Sequence, residues 1–205
     1  KAGANYAFNK HHNAFINVGY ISRAPNLDYG AFMNASTSNA VNVEAKNEQV
    51  ASAEIGYGFH NEYVNVAVNG YFTEWMDKTM TKSGTLGDDQ KEFFMNMTGV
   101  NARHMGLEFE VKARPTKWLE VNAMLSLGSW KWDSDSVVGY AYDGQGQALA
   151  VDPATKMTYI TEPGAADHQY AIINMKGINV GGSAQTTANL GVTFKPFKGF
   201  RIGAE

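Results

Sequence analysis

Carboxylates recur at alternate positions within long runs of this sequence in which apolar and polar residues alternate. The acidic residues are Glu54, Glu108, Glu110 and Glu120, and Lys112 lies among them. Alternate residues of a β-strand point to the same side of a sheet, so these carboxylates are predicted to share one face. Neighbouring carboxylates repel one another unless a cation lies nearby. The pattern therefore predicts a surface that binds arginines from another part of the protein, whereas in a soluble protein these residues would be exposed charges.

The sequence contains no recognisable catalytic or cofactor motif. Histidine occurs at five positions that lack the spacing of metal ligands, namely His11, His12, His60, His104 and His168. A G-x-S-x-G nucleophile motif and a phosphate-binding glycine loop are both missing. The acidic pairs at 88–89 and 133–135 do not have EF-hand spacing, so solvated loop charges are the better interpretation than calcium ligands. We therefore expect no enzymatic activity, no cofactor and no bound metal.

Composition favours a β protein and excludes several other classes. The chain has 205 residues and a net charge of −3, so a general attraction to nucleic acid is not expected. It has no cysteine, which excludes a disulfide scaffold and thiolate metal sites. No apolar run reaches the roughly 18 residues of a transmembrane helix, and the N-terminus has no recognisable signal-peptide core. Frequent aromatic residues and only 5 prolines indicate β structure.

The longest alternating runs predict a hairpin at 100–132 with a tight turn at 114–117. Leu107 and Phe109 lie on the apolar side of the first run, and Leu125 and Leu127 lie on the apolar side of the second. These runs are about twice the usual strand length of roughly 5–6 residues. They match the ~9–11 residues that a tilted strand needs to cross a bilayer. The hairpin therefore predicts transmembrane strands with a lipid-facing stripe.

Connection lengths in the rest of the chain support this interpretation. Further alternating runs predict strands at 3–8, 14–20, 51–59, 64–75, 188–194 and 200–204. Short turns at 9–12, 60–62, 114–117 and 196–199 alternate with long loops at 26–48, 76–99 and 133–182. Short turns at one rim and long loops at the other are typical of outer-membrane barrels. We predict an all-β fold, an antiparallel transmembrane β-barrel segment of about eight strands with short periplasmic turns and long extracellular loops.

Aromatic residues cluster at both ends of the predicted strands, as at two membrane interfaces. One group flanks the short turns: Phe59, Tyr63, Trp118, Phe197 and Phe200. Another lies next to the long loops: Tyr20, Phe72, Trp75, Trp130 and Trp132. At the long-loop rim we predict six candidate ligand contacts: Arg23, Trp75, Arg103, His104, Trp130 and Trp132. For the aromatic residues among them, anchoring at the membrane interface is the alternative role.

Glycines recur on the same polar face as the carboxylates, at Gly19, Gly56, Gly58, Gly106, Gly128 and Gly191. Glycine in a strand often marks the close approach of another backbone. A folded plug inside the barrel would approach in that way. Alternatively, the glycines are bend points that allow the barrel to close. The sequence does not decide between these two explanations.

Four phrases resemble TonB-dependent outer-membrane receptors, in particular those of Bacteroidetes-type bacteria. They are FINVGYISRAP at 15–25, SAEIGYGF at 52–59, NGYFTEWMDKT at 69–79 and NMTGVNARHMGLEFE at 96–110, in the family's order and at its spacing. The resemblance implies a 22-stranded barrel that encloses an N-terminal plug. In that family, glutamates in E-x-G-Y and G-x-E-x-E motifs pair with plug arginines. The matching residues here are Glu54, Glu108 and Glu110.

The resemblance also implies partners and a location. These are the lipid of the bacterial outer membrane, the plug of the same receptor, the TonB complex acting through that plug, and a small nutrient. A siderophore, a corrinoid, a glycan and a peptide all remain open, because fold does not assign substrate. We expect residues 1–205 to be an internal part of one barrel domain that lacks its plug. The alternatives are a soluble β-sandwich or lectin-like binding module, a closed eight-stranded barrel, and a small adhesin or enzyme barrel.

Overall fold

A computed structural model describes residues 1–205, apart from the side chain of Tyr29. The strands are β1 Ala2–Ala7, β2 His12–Arg23, β3 Glu48–His60, β4 Val64–Leu86, β5 Lys91–Thr116, β6 Leu119–Trp132, β7 Ser136–Tyr140, β8 Ala148–Val151, β9 Thr158–Thr161, β10 Tyr170–Asn174, β11 Thr186–Phe194 and β12 Ile202–Ala204. A sheet of eight antiparallel strands has the order β1-β2-β3-β4-β5-β6-β11-β12. The predicted all-β class and the eight-stranded barrel segment are therefore confirmed.

Two chemically different faces follow from the register of this sheet. Ile16, Ile55, Gly70, Leu107 and Leu127 form one continuous row across β2 to β6. The large side chains of this row are exposed: the exposed fraction is 64% for Ile55 and 49% for Leu107. Leaving a large apolar side chain in water forfeits roughly 1.5–3 kcal/mol of burial free energy. An uncovered apolar face of this extent fits hydrocarbon as its solvent, so we call it the outward face.

The predicted loop at 76–99 is wrong. Instead, β4 continues to Leu86 and β5 begins at Lys91, so these two strands extend well beyond the length needed to cross a bilayer. A register shift between Trp75 and Met80 interrupts their pairing, and Asp77 has a φ of 55°. Such a bulge breaks the two-residue period. The strands were hidden in the sequence because alternation stops at the bulge and restarts in a different phase.

The long segment at 133–182 contains four short strands and does not lie free. β7 pairs with β10, and β8 pairs with β9. Together with the projecting ends of β4 and β5, they enclose a hydrophobic core of Met95, Met97, Val100, Val137, Ala141, Leu149 and Met175. We refer to residues 76–100 and 133–182 together as the outer module. It is a packed β structure on top of the membrane sheet.

The first long segment, 26–48, leans against the outer module. It contains one short π-helix, Leu27–Ala31. Asn96 Nδ2 donates to the carbonyl oxygen of Met33 at 3.1 Å, and Ser38 Oγ donates to the carbonyl of Gln145 at 3.0 Å. All three long segments therefore contact one another at the same end of the sheet. Within the described part of the chain, no helix combines the length and apolar character needed to cross a membrane.

Candidate lumen surface and ligand site

The three glutamates in the receptor-like motifs lie on the polar face of the sheet, which we call the lumen face. Glu54 pairs in register with Asn17 and accepts a hydrogen bond from its Nδ2 at 3.2 Å. Glu108 and Glu110 are exposed, at register positions opposite Ser126 and Met124. Neither Glu108 nor Glu110 forms an ion pair or a side-chain hydrogen bond with any residue that the structure describes. Two neighbouring carboxylates of this face thus have no cation.

Glu120 shares this face but has its own cations. Arg114 Nε lies 2.9 Å and Lys195 Nζ 3.1 Å from its carboxylate, and Lys112 Nζ lies 3.6 Å away. Lys112 and Arg114 come from the adjacent strand β5, and Lys195 follows β11, which pairs with β6. Cross-strand pairing brings these residues together. The predicted need for arginines from elsewhere therefore does not extend to Glu120.

Three of the six predicted ligand contacts form a row of rings on the lumen face, near the outer module. The ring of His104 stacks on Trp130 with centroids 5.4 Å apart and planes 16° apart. Trp75 lies on the other side of His104, at a centroid distance of 6.4 Å. Trp130 Nε1 donates to Tyr71 Oη at 2.8 Å, and the backbone of Trp130 exchanges two hydrogen bonds with the Gln185 amide. We call Trp75, His104 and Trp130 the aromatic row.

The other three predicted contacts lie in different surroundings. Arg23 is on the lumen face, but its guanidinium is bound to the buried carboxylate of Glu48. Arg103 is on the outward face, where it donates to Asp133 at 2.8 Å and its guanidinium lies 5.9 Å from the ring centre of Phe72. Trp132 packs against the hydrophobic core of the outer module. The structure therefore brings together only half of the predicted set.

Sequence reasoning missed Tyr71 and Gln185, which hold Trp130 in place. Tyr71 had a detectable signal, because it alternates in phase with Trp75 along β4. Gln185 had none, since it lies between the outer module and β11, outside any alternating run. Among the described residues, no group of three or more His, Asp or Glu is placed to hold a metal ion.

The glycines of the lumen face have a local explanation. A Cβ at Gly56 would come within 2.2 Å of the Phe15 ring, and a Cβ at Gly106 would come within 2.6 Å of Tyr71 Oη. A Cβ at Gly128 would come within 2.8 Å of the Gln185 carbonyl oxygen and 3.0 Å of Trp130 Nε1, and the Leu127 carbonyl oxygen is also 2.6 Å from a Cβ at Gly106. Neighbouring side chains and backbone carbonyls thus occupy the space that these glycines leave free. Gly106 and Gly128 allow the close packing around Tyr71 and Trp130.

A sheet of long antiparallel strands with an apolar outward face, a polar lumen face and short turns at one end defines an outer-membrane β-barrel protein. The chain belongs to the family described as TonB dependent receptor-like, beta-barrel, whose model matches residues 1–204. This is a family of receptors and transporters of the bacterial outer membrane, and the outer membrane is where this chain lies. Its origin in a Bacteroidetes-type bacterium stays a prediction.

Two solved structures are similar to the chain. The copper transporter OprC aligns with a TM-score of 0.52 and 13% identity over 98% of this chain and 31% of its own. The FrpB iron transporter from Neisseria meningitidis aligns with a TM-score of 0.46 and 11% identity over 95% of this chain and 31% of its own. The chain thus spans about a third of the length of either transporter. At such identities the likeness to OprC shows the fold alone. No curated protein sequence matches the chain significantly.

Proposed function

We propose that this chain is part of an active transporter that takes up a scarce nutrient across the outer membrane with energy transmitted by TonB. Residues 1–205 would belong to one barrel domain, with a plug supplied by the rest of the receptor. The observation that carries the proposal is the pair Glu108 and Glu110, two lumen-facing carboxylates without a cation in a barrel of this family. Plug arginines would satisfy them, together with Glu54, because bidentate guanidinium–carboxylate pairs are strong. Transport requires no enzymatic step from these residues.

The aromatic row is our proposed capture site. Flat rings that face the lumen below the outer loops offer a stacking surface for a nutrient with an unsaturated or ring-shaped part. The ligand would bind there first, and TonB would then pull on the plug to open a path. Arg23, Arg103 and Trp132 stay predictions as ligand contacts. A soluble β-sandwich or lectin-like module is not favoured, because the part of the chain that the structure describes places no second sheet on the outward face.

The plug contact can be tested in the full-length receptor with the double variant Glu108→Gln and Glu110→Gln. Neutral amides cannot form ion pairs with arginine, so the plug should be retained less well. We expect entry of a large hydrophilic antibiotic, normally excluded by the outer membrane, to rise several-fold. The matched control is Glu92→Gln with Glu162→Gln, two neutralised carboxylates of the outer module. Antibiotic entry equal to that of the wild type in the double variant would contradict the plug contact.

The capture site can be tested with Trp130→Ala and Trp75→Ala. An aromatic contact contributes about 0.5–1.5 kcal/mol, which corresponds to roughly a 2- to 13-fold weaker binding per ring. Binding and TonB-dependent uptake would be measured with a ferric siderophore, cyanocobalamin, an oligosaccharide and an oligopeptide. Trp118→Ala is the control, because Trp118 lies at the short-turn end against Phe194. If none of these four probes were taken up in a TonB-dependent manner, the transport proposal would be refuted.

A further inference from the structure

A concentration of cations lies at the opposite end of the lumen face from the aromatic row. It consists of Lys112, Arg114, Lys117, Lys195, Lys198 and Arg201, which we call the basic mouth. These residues come from the end of β5, from the turn between β5 and β6, and from the turn between β11 and β12. The acidic residues beside them are Glu62 and Glu120. Six cations thus face two acids, in a chain whose net charge is −3.

The basic mouth surrounds open space. A cavity of about 440 Å³ lies where three short turns meet, lined by Glu62 and Tyr63 from one turn, by Arg114 at the end of β5 with Lys117 in the turn after it, and by Lys195. A second cavity of about 500 Å³ adjoins it through Lys117 and Lys195 and reaches Lys198 and Arg201. The two cavities together offer room for several side chains of a partner.

The cations in this space are not neutralised from within. Glu120 already binds three of them, and one carboxylate balances one charge. Lys117, Lys198 and Arg201 form no ion pair with a residue in the described part of the chain. Like charges held close together destabilise a surface unless counter-charges are near. The arrangement is therefore complementary to an anionic partner.

Four of the six cations of the basic mouth, Lys112, Arg114, Lys195 and Arg201, lie on the lumen side of the sheet. Lys112 pairs in register with Asn65 and Asn122, which belong to the polar face. Glu120 pairs with Thr193, which in turn pairs with Gly203. Lys195 lies two residues after Thr193, and Arg201 lies two residues before Gly203. Both are therefore in phase with the same face. A phospholipid headgroup would approach from the outward side, so a partner inside the barrel fits better.

We infer that the basic mouth docks an acidic segment of the polypeptide that fills the lumen, a refinement that rests on the proposed function. The lumen face is then polarised: partnerless carboxylates lie at mid-height and surplus cations lie at the periplasmic mouth. The plug must carry the reverse order, with arginines at mid-height and aspartate or glutamate at its periplasmic end. Two layers of opposite charge fix the depth and the orientation of the plug. If the plug moved along the lumen or turned over, its charges would face like charges of the barrel.

Carbodiimide cross-linking of the full-length receptor, followed by peptide mass spectrometry, tests this inference. The reagent joins a lysine amine directly to a carboxylate that lies in salt-bridge contact. We expect Lys117 or Lys198 to be joined to an aspartate or glutamate outside residues 1–205. Cross-links from these lysines only to Glu62 or Glu120 would overturn the inference.

A charge-reversal pair provides a second readout without disturbing the Glu120 ion pairs. Lys117→Glu with Lys198→Glu should raise antibiotic entry several-fold, and the increase should shrink at high salt because screening weakens the repulsion. The matched control is Lys82→Glu with Lys156→Glu in the outer module, which should leave entry unchanged. Equal entry in both pairs would overturn the inference, as would a bound phospholipid lost only from the Lys117 and Lys198 variant. If either of these results appears while nutrient uptake still depends on TonB, the inference about the basic mouth is refuted and the proposed function stands. If nutrient uptake does not depend on TonB, the proposed function is refuted.

Discussion

The membrane sheet and the outer module obey opposite rules of burial within one chain. In the outer module, apolar side chains such as Met97, Leu149 and Val100 are at most 1% exposed. In the membrane sheet, residues of the same types, such as Ile55 and Leu107, are about half or more exposed. The module has an interior like that of a water-soluble protein. The sheet relies on a solvent outside the chain, which is the lipid bilayer.

This difference shows that a hydrophobic residue can only be interpreted together with its solvent. Water drives the apolar residues of the outer module together and gives them a packed core. Lipid removes that driving force from the sheet, which is held by the backbone hydrogen bonds between its strands. Identical substitutions should therefore have different consequences in the two regions.

Leu149→Ala in the outer module should have the largest effect. Leu149 is 1% exposed, and truncating a buried leucine typically costs about 2–5 kcal/mol because a cavity remains. Hydrogen exchange of the full-length receptor should show faster exchange in β8 and β10. Leu107→Ala is the matched variant in the sheet, where lipid chains can fill the space, so the loss should be clearly smaller. Equal losses at the two positions would refute the contrast.

Leu107→Lys should destabilise the sheet by about 2–4 kcal/mol, the cost of a basic residue that faces lipid near the bilayer middle. The control is Ser126→Lys, on the lumen face at the register position opposite Glu108. A lysine there lies in the polar lumen and not in lipid, so it should be tolerated better. Urea unfolding of the full-length receptor in lipid vesicles would measure both variants. If Ser126→Lys were as damaging as Leu107→Lys, the assignment of the two faces would be wrong.

His168→Ala should loosen the outer module by about 1–3 kcal/mol. The ring of His168 is 2% exposed, its Nδ1 accepts from the Gly164 amide at 3.1 Å, and its Nε2 lies 2.9 Å from the carbonyl oxygen of Ala141. Removing the ring deletes both hydrogen bonds and leaves a cavity, although the carbonyl oxygen of Ala141 keeps its hydrogen bond from the Leu149 amide. Exchange rates around β7 and β10 should rise. Met157→Ala, at a half-exposed position of the module, should leave these rates unchanged.

A small pH effect is expected at Asp167, on the surface of the outer module. Its carboxylate accepts hydrogen bonds from the hydroxyls of Tyr159 and Thr161, and these lower the pKa of Asp167 below its ordinary value. A lowered pKa contributes stability that is fully present above the ordinary aspartate pKa of about 3.9 and is lost as the pH falls through the folded value. Protection factors for hydrogen exchange in β9, which correct for the intrinsic pH dependence of amide exchange, should therefore fall in acid.

Asp167→Asn provides the control for this pH effect. The amide cannot titrate, so the protection factors of β9 should no longer fall in acid, while they should be slightly lower than in the wild type at neutral pH. An unchanged acid response in Asp167→Asn would assign the effect to another group.

The sequence by itself determined the membrane sheet. Alternation predicted both faces, and the sheet order and the short turns followed the predicted hairpins. It also placed Glu54, Glu108 and Glu110 on one face, because a two-residue period can be detected from residues that are adjacent in the sequence. The long segments could not be predicted in this way. Bulges such as the one between Trp75 and Met80 shift the phase, and the short strands β7 to β10 carry too few residues to show a period.

Only the tertiary structure decided which side chains meet. It stacked His104 of β5 on Trp130 of β6 and placed Trp75 of β4 beside His104. It also surrounded Glu120 with cations from two other strands. Contacts of this kind depend on cross-strand register, which pairs residues far apart in the chain. The sequence determined the chemistry of each face, and the register determined the sites on it.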